Sequence, residues 1–220
     1  MMAKEIETEQ RDNPGCFRWL SSIAPLPDTV SVGKGFLGMN GDMGYSGLTA
    51  TVRGHKVPHS ISMHPPSGKH AVARASFHIG AEFDVFACAV ALNDSVGSRG
   101  LKHGSGATFQ VLGDGKLLWK SRAITTAGDL EQCRVSVFGV RTLELQTMVG
   151  GRDKGRAHAL WMEPRLVGRG AAKLRPGMLM VTTTDDESLW APVVPVGTLV
   201  ATTLFGDLPQ AQQPKVSPRS

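Results

Sequence analysis

Residues 83–92, with the sequence FDVFACAVAL, constrain the fold most, because they are apolar at almost every position. Successive side chains of a strand point to opposite faces, so a strand that is apolar on both faces needs cover on both. The run ends at Asn93, where a polar, glycine-rich loop begins. The sequence therefore predicts a central strand with material packed above and below it.

A second local signal is the Gly113-Asp114-Gly115 triplet between the alternating runs 107–112 and 116–121. Asp-Gly between two such runs is typical of a tight hairpin, because glycine tolerates the positive φ that the turn requires. These residues predict two antiparallel neighbours.

Further strands are predicted over 72–79, 134–140, 142–149 and 158–166, with a turn at Gly139. The 26 glycines and 13 prolines, without a convincing helical period, favour many short strands joined by turns. We therefore predict an all-β fold, an antiparallel β-sandwich over residues 16–166.

The closing stretch 158–166 alternates, with His158 and Leu160 on one side and Trp161 and Arg165 on the other. A large ring that shares a side with charged residues suggests a strand with one end at a binding surface. The alternative is a buried tryptophan with charges at the rim.

Composition shifts predict the remaining boundaries. Residues 1–15 are polar and predict a frayed lead, and 167–205 are basic and then β-prone, which suggests an extension or docking arm. Residues 206–220 are predicted to be disordered.

Charge and cysteine content argue against nucleic-acid binding and against a disulfide or CxxC site. The net charge of +5 is spread along the chain, and no aromatic residues suited to base stacking lie between the densest basic runs, so we expect no nucleic-acid binding. Three distant cysteines make neither a disulfide framework nor a CxxC site, and Cys88 and Cys133 are expected to be buried thiols.

We expect no membrane span and a cytoplasmic location, since no signal segment is seen.

No motif in the sequence predicts catalysis or zinc binding. The segment 44–47, GYSG, is one residue short of a nucleophile elbow, and the carboxylates are scattered at turns. The five histidines between His55 and His78 lack spacings that converge on a metal, since prolines exclude a helix there. We expect a non-catalytic protein.

Five segments in order carry a resemblance to a known family: Trp19-Leu20, then 54–67, 83–94, 107–121 and 158–166. Together they resemble the NPCBM family of carbohydrate-binding modules, which are galactose-binding-like jelly rolls. The resemblance covers residues 16–166. It implies two packed antiparallel sheets that recognise a sugar such as galactose without catalysis, often beside a structural calcium ion.

Residue by residue, the resemblance implies a ligand set. The family's histidine turn falls on His64 and Ser67, and its acidic loop, usually Asp-Asp-Glu, reads Asn93-Asp94-Ser95 here. The family's closing strand matches at four residues, while Glu163 replaces an aspartate. The matching residues of that strand are His158, Trp161, Arg165 and Leu166. The implied ligand-binding residues are His64, Asn93, Asp94, His158 and Trp161.

Two departures bear on the ligand. Leu160 stands where the family usually has aspartate, which removes an acceptor for a sugar hydroxyl and an oxygen ligand for calcium. For calcium, Asn40, Asp42, Asn93, Asp94 and Glu163 remain as a partial ligand set. Tyr45, in a glycine-rich loop, and Trp190 are the aromatic rings most free to stack on a sugar.

Two functions follow as competing hypotheses. The first is a carbohydrate-binding module for a galactose-type glycan. The second is an intracellular protein-interaction or assembly subunit that reuses the sandwich, with residues 167–205 as its contact arm and sugar binding lost.

Overall fold

A computed structural model describes residues 2–44, 47–66, 71–99, 106–149 and 157–168. The described chain contains one α-helix and twelve strands. In chain order these are α1 (Met2–Asp12), β1 (Phe17–Trp19), β2 (Gly38–Met39), β3 (Thr51–Val52), β4 (His55–Lys56), β5 (Ile61–Ser62), β6 (Val72–His78), β7 (Val85–Leu92), β8 (Ala107–Gly113), β9 (Lys116–Lys120), β10 (Leu130–Ser136), β11 (Thr142–Val149) and β12 (Ala159–Val167). Short 3-10 helices cover Leu20–Ser22, Pro27–Thr29 and Asp94–Arg99.

The strands form two main antiparallel sheets. One sheet has the order β10-β7-β12-β5-β2, with β1 also paired to β12, and the other has the order β6-β11-β8-β9. The short hairpin β3–β4 is separate. The predicted all-β antiparallel sandwich is confirmed. The predicted strand over 134–140 is displaced, since β10 spans Leu130–Ser136.

The core lies between the two main sheets. Phe86, Cys88 and Val90 from β7 share one buried cluster with Phe77 of β6 and Leu145 of β11. All five side chains are nearly or fully excluded from solvent. Burial of apolar surface on this scale is the main favourable contribution to folding.

The other face of β7 is also covered, as the sequence predicts. Ala89 and Ala91 point away from the core into a second buried cluster. The remaining members come from β12 and from the segment between β2 and β5: Met43, Ala50, Val52, Val57, Leu160 and Met162. We call this set the outer cluster. The alanines on this face of β7 leave room for the β3–β4 hairpin to lie against the sheet.

A β-bulge interrupts the alternation of β12. The register moves from Met162 opposite Ala89 to Arg165 opposite Ala87, so β12 has one residue more than β7 between these pairs. Glu163, inside the bulge, has φ of 49°, in the left-handed region. An extra residue exchanges the two faces of a strand. Trp161 therefore points into the core, while Arg165 points to the outside of the sheet, which corrects the prediction that they share a side.

The first residues form a helix rather than the predicted frayed lead. Helix α1 is anchored by Glu9, whose carboxylate accepts hydrogen bonds from Arg165 and Arg134. Glu9 is 8% exposed and Arg165 2%. Glu5 lies 3.5 Å from Arg134 and 3.6 Å from Arg165. The helix is ordered because its acidic side meets two guanidinium groups that β10 and the bulged β12 present.

The predictions for the extension and the tail lie outside the described residues, apart from the end of β12. No helix within the described ranges is long and apolar enough to cross a membrane.

Candidate functional site

Antiparallel pairing brings three chain segments together at one end of the six-stranded sheet. Leu92, the last residue of β7, lies opposite Ala159, the first residue of β12, and Ser62 of β5 lies opposite Leu160. His158, which precedes β12, therefore comes close to His64 and to Ser95. We call His64, Asn93, Ser95 and His158 the His64 cluster.

Hydrogen bonds connect the cluster. The side-chain amide of Asn93 donates to the Ser95 hydroxyl at 2.7 Å, and that hydroxyl lies 2.6 Å from Nδ1 of His158. The backbone N–H of Asn93 donates to the carbonyl of His158 at 2.8 Å. Asn93 is 1% and His158 6% exposed, so both act mainly by holding the neighbouring groups.

His64 is the half-buried histidine of the cluster, and its ring centroid lies 6.1 Å from that of His158. Burial lowers the pKa of His64, and the nearby Lys34 charge lowers it further, against the opposing effect of a hydrogen bond with the backbone of Ala157. The imidazole is therefore neutral at neutral pH, a form that presents one donor and one acceptor.

The lowered pKa predicts a pH-dependent stability. Because folding disfavours the charged imidazole, its contribution is present above the unfolded pKa, 6.5, and is lost as the pH falls through the folded value. Urea unfolding of the wild type is expected to show this loss below about pH 6.5. His64→Gln should remove this component, whereas a His78→Gln control, which leaves His64 in place, should keep the wild-type profile. Identical profiles for wild type and His64→Gln would contradict the prediction.

Asp94, a predicted ligand residue, anchors the β3–β4 hairpin. Its two carboxylate oxygens accept the backbone N–H groups of Arg53 and Gly54, each at 2.8 Å. Both turn residues have left-handed φ, 54° and 79°, which points successive N–H groups toward one anion. Asn93 adds a further anchor, since its side-chain oxygen accepts the N–H of Thr51 at 2.6 Å. The hairpin is thereby held beside the His64 cluster.

Trp161, another predicted ligand residue, is a core residue, in agreement with the alternative of a buried tryptophan. Its side chain is fully buried and meets Phe109 edge to face, with ring centroids 5.2 Å apart. Its indole N–H donates to the hydroxyl of Thr147 at 3.2 Å. A ligand at the protein surface cannot stack on this ring, so the prediction that Trp161 binds a ligand is corrected. Tyr45, Ser67 and Trp190 lie outside the described residues.

Leu160 lies on the same side of β12 as His158, as predicted, and is fully buried in the outer cluster. It packs beneath the hairpin among apolar side chains. Leucine at this position, in place of the family's usual aspartate, adds an apolar side chain to the cluster on which the β3–β4 hairpin packs.

Of the predicted calcium ligands, Asn40, Asp42 and Glu163 line two different cavities, whereas Asn93 and Asp94 line neither. Asn40 and Asp42 line one of about 480 Å³ beside Val57 and Pro58, and an Asp42 oxygen accepts the N–H of Gly44 at 2.7 Å. Glu163 lines the other cavity. Within the described ranges, no three His, Cys, Asp or Glu side chains converge as metal ligands. The described residues do not support a single site made from this set, and calcium binding stays a prediction.

The second cavity, of about 690 Å³, lies between α1, the hairpin and the bulge, and its walls include Ile6, Trp19, Met162 and Glu163. Burial raises the pKa of Glu163, against the opposing effects of the His59 charge and backbone and of Arg165. Trp19 stacks on His59 with ring centroids 4.2 Å apart. The sequence did not single out this cavity, because its walls come from distant segments.

Ser95 is the site residue that the ligand prediction omitted. It is the third residue of the loop in which the family usually has Asp-Asp-Glu, and that position was the available signal. In the fold it contacts both Asn93 and His158, which makes it the centre of the cluster.

Comparison with solved structures supports the architecture. The chain is similar to CBM51 from Clostridium perfringens GH95, solved in complex with methyl-galactose, with 20% identity, a TM-score of 0.55, and coverage of 69% of this chain and 99% of that chain. It is also similar to the CBM51-2 and INT domains of Clostridium perfringens ZmpB in complex with GlcNAc. There the identity is 16% and the TM-score 0.57, with coverage of 69% of this chain and 31% of that chain. At these identities the likeness shows the fold.

Among curated proteins, the chain is 23% identical over 100 residues to a Renibacterium salmoninarum protein named for endo-alpha-N-acetylgalactosaminidase activity. The match covers 46% of this chain and 6% of that relative. The model of the NPCBM/NEW2 domain matches residues 18–167, which includes β1 through β12 almost completely. By this match over most of its length, the chain belongs to the NPCBM/NEW2 domain family.

Proposed function

We propose that this chain is a non-catalytic carbohydrate-binding module that recognises a galactose-type glycan through the His64 cluster. The supporting observation is the half-buried, neutral imidazole of His64, set beside a hydrogen-bonded Asn93–Ser95–His158 network in a member of this family. Sugar hydroxyls both donate and accept hydrogen bonds, so a neutral imidazole beside a serine hydroxyl is a suitable partner. The solved relatives named for complexes with methyl-galactose and GlcNAc support the ligand class.

The roles within the cluster differ with exposure. His64 and Ser95 are partly exposed and are assigned the direct contacts with the sugar. His158 and Asn93 are buried and position Ser95. Asp94 acts one step further away, through the hairpin turn. Calcium binding and a cytoplasmic location remain predictions.

Replacement of His64 by alanine is expected to weaken sugar binding roughly 10- to 100-fold, because a lost hydrogen bond that leaves a buried partner unsatisfied costs about 1–3 kcal/mol. Titration calorimetry with methyl-galactoside and with GlcNAc, each with and without calcium, measures this. His78→Ala is the matched control, because His78 is exposed at the far end of β6.

Two results would contradict the proposal. One is wild-type affinity of the His64→Ala variant. The other is a glycan array on which the wild-type chain binds nothing with or without calcium, while a protein partner co-purifies with it. The second result would favour the interaction or assembly subunit.

A further inference from the structure

Two cysteines that the proposed function does not use lie side by side on adjacent strands of the six-stranded sheet. Cys133 of β10 and Cys88 of β7 are direct partners in the antiparallel register. Both point into the core and are almost fully buried, at 1% and 3% exposed. Cys133 is close enough to help raise the pKa of the Cys88 thiol. Both are free thiols in the structure.

The backbone geometry of this pair suits a covalent link. The backbone N–H of Val137 donates to the carbonyl of Asp84, which faces it in this register. Hydrogen-bonded and non-hydrogen-bonded pairs alternate along an antiparallel ladder, so Cys133 and Cys88, four residues further along, are a hydrogen-bonded pair. Such pairs have Cα atoms about 5.5 Å apart, inside the range of roughly 4.4–6.8 Å for disulfides. The Cβ atoms of opposed residues are about 4.5–5.5 Å apart, with hydrogen-bonded pairs at the wider end, so these two must approach by roughly 1–2 Å. A bond formed this way carries some strain and is therefore readily reduced.

We propose that Cys88 and Cys133 are a redox-active pair, which closes to a disulfide by exchange with a low-molecular-weight disulfide such as oxidised glutathione. This modification does not depend on the proposed sugar-binding function. Its chemistry needs only the two thiols and the glutathione disulfide as the oxidant.

The order of the exchange follows from the sheet. In the described sheet, β10 is an edge strand paired with β7, whereas β7 lies between β10 and β12. Opening of the edge exposes Cys133 first, and its thiolate attacks oxidised glutathione to give a mixed disulfide and one glutathione thiolate. Cys88 then attacks the Cys133 sulfur and releases the second glutathione. The two thiol protons pass to the two glutathione thiolates, so two cysteines are oxidised and one glutathione disulfide is reduced.

Burial raises the pKa of Cys88 well above its usual range, and the contact with Cys133 raises it further, against a smaller lowering effect of Arg165. Little thiolate therefore forms while the core is closed, which makes the reaction slow in the native state. Once formed, the bond closes a loop that contains β8 and β9 and constrains the unfolded chain.

The experiment uses the purified full chain, reduced and then incubated with a series of reduced-to-oxidised glutathione ratios in sub-denaturing urea. Free thiols are alkylated after an acid quench, and peptides are mapped by mass spectrometry. A cross-linked Cys88–Cys133 peptide is expected in the wild type and in the matched control Cys16→Ser. Cys88→Ser should instead accumulate glutathione on Cys133, because the resolving thiol is absent.

A thermal melt provides the second readout. The oxidised wild type is expected to melt about 5 °C or more above its reduced form, whereas Cys133→Ser should show no difference between the two treatments. The proposal is overturned if Cys88 and Cys133 remain fully alkylatable at the most oxidising ratio while Cys16 takes up glutathione. A chain that binds no sugar could still form the disulfide, and a chain that forms no disulfide could still bind sugar, so the two proposals are tested separately.

Discussion

Replacement of Trp161 by alanine is expected to lower the free energy of unfolding by about 3–5 kcal/mol, the range for large aromatic residues deleted from a core. The ring is fully buried between the two sheets and contacts Phe109, so its loss leaves a cavity that neighbouring strands can only partly fill. The hydroxyl of Thr147, which is also fully buried, loses its indole donor. Urea unfolding at neutral pH measures the change.

Two further variants separate a core role from a ligand role. Trp119→Ala is the control, because Trp119 is only partly buried on the edge strand β9, and a smaller loss is expected. Trp161→Phe keeps most of the ring volume and should bind sugar with wild-type affinity per folded molecule. A large loss of sugar affinity in a stably folded Trp161→Phe protein would return Trp161 to the ligand set.

Replacement of Glu9 by alanine is expected to detach helix α1 from the sheet. Removal of one partner from a buried ion pair costs about 3–5 kcal/mol, because the remaining charge is left without compensation. In this protein the loss of stability is limited to the free energy with which α1 docks on the sheet. Once α1 detaches, water can reach Arg165 and solvate its charge. Hydrogen exchange should therefore rise strongly over residues 2–12, while the strands remain protected.

The matched control for this prediction is Arg134→Ala. Arg134 also bonds to Glu9, but its side chain is 51% exposed, and exposed pairs contribute only about 0.2–1 kcal/mol. The double variant Glu9→Leu with Arg165→Met replaces the pair by apolar groups and should keep α1 docked. Unchanged exchange of α1 in the Glu9→Ala protein would contradict the prediction.

The candidate site illustrates which residues local patterns can identify. The family resemblance marked His64, Asn93 and His158, and the fold places all three in one cluster, because β12 pairs with both β5 and β7. The same resemblance marked Asp94 and Trp161, which serve the hairpin and the core instead. A motif records which residue types recur, but it does not distinguish a side chain that contacts a ligand from one that holds such a side chain.

Apart from the position of β10, the sequence by itself determined the strands from β6 to β12 and their assembly into an antiparallel sandwich. Those features depend on alternation and on the Asp114-Gly115 turn, which act between neighbours in the chain. Tertiary structure alone decided the bulge at Glu163, the docking of α1 and the opposition of Cys88 to Cys133. Each depends on contacts between residues far apart in sequence, such as Glu9 with Arg165, and no local pattern encodes their register.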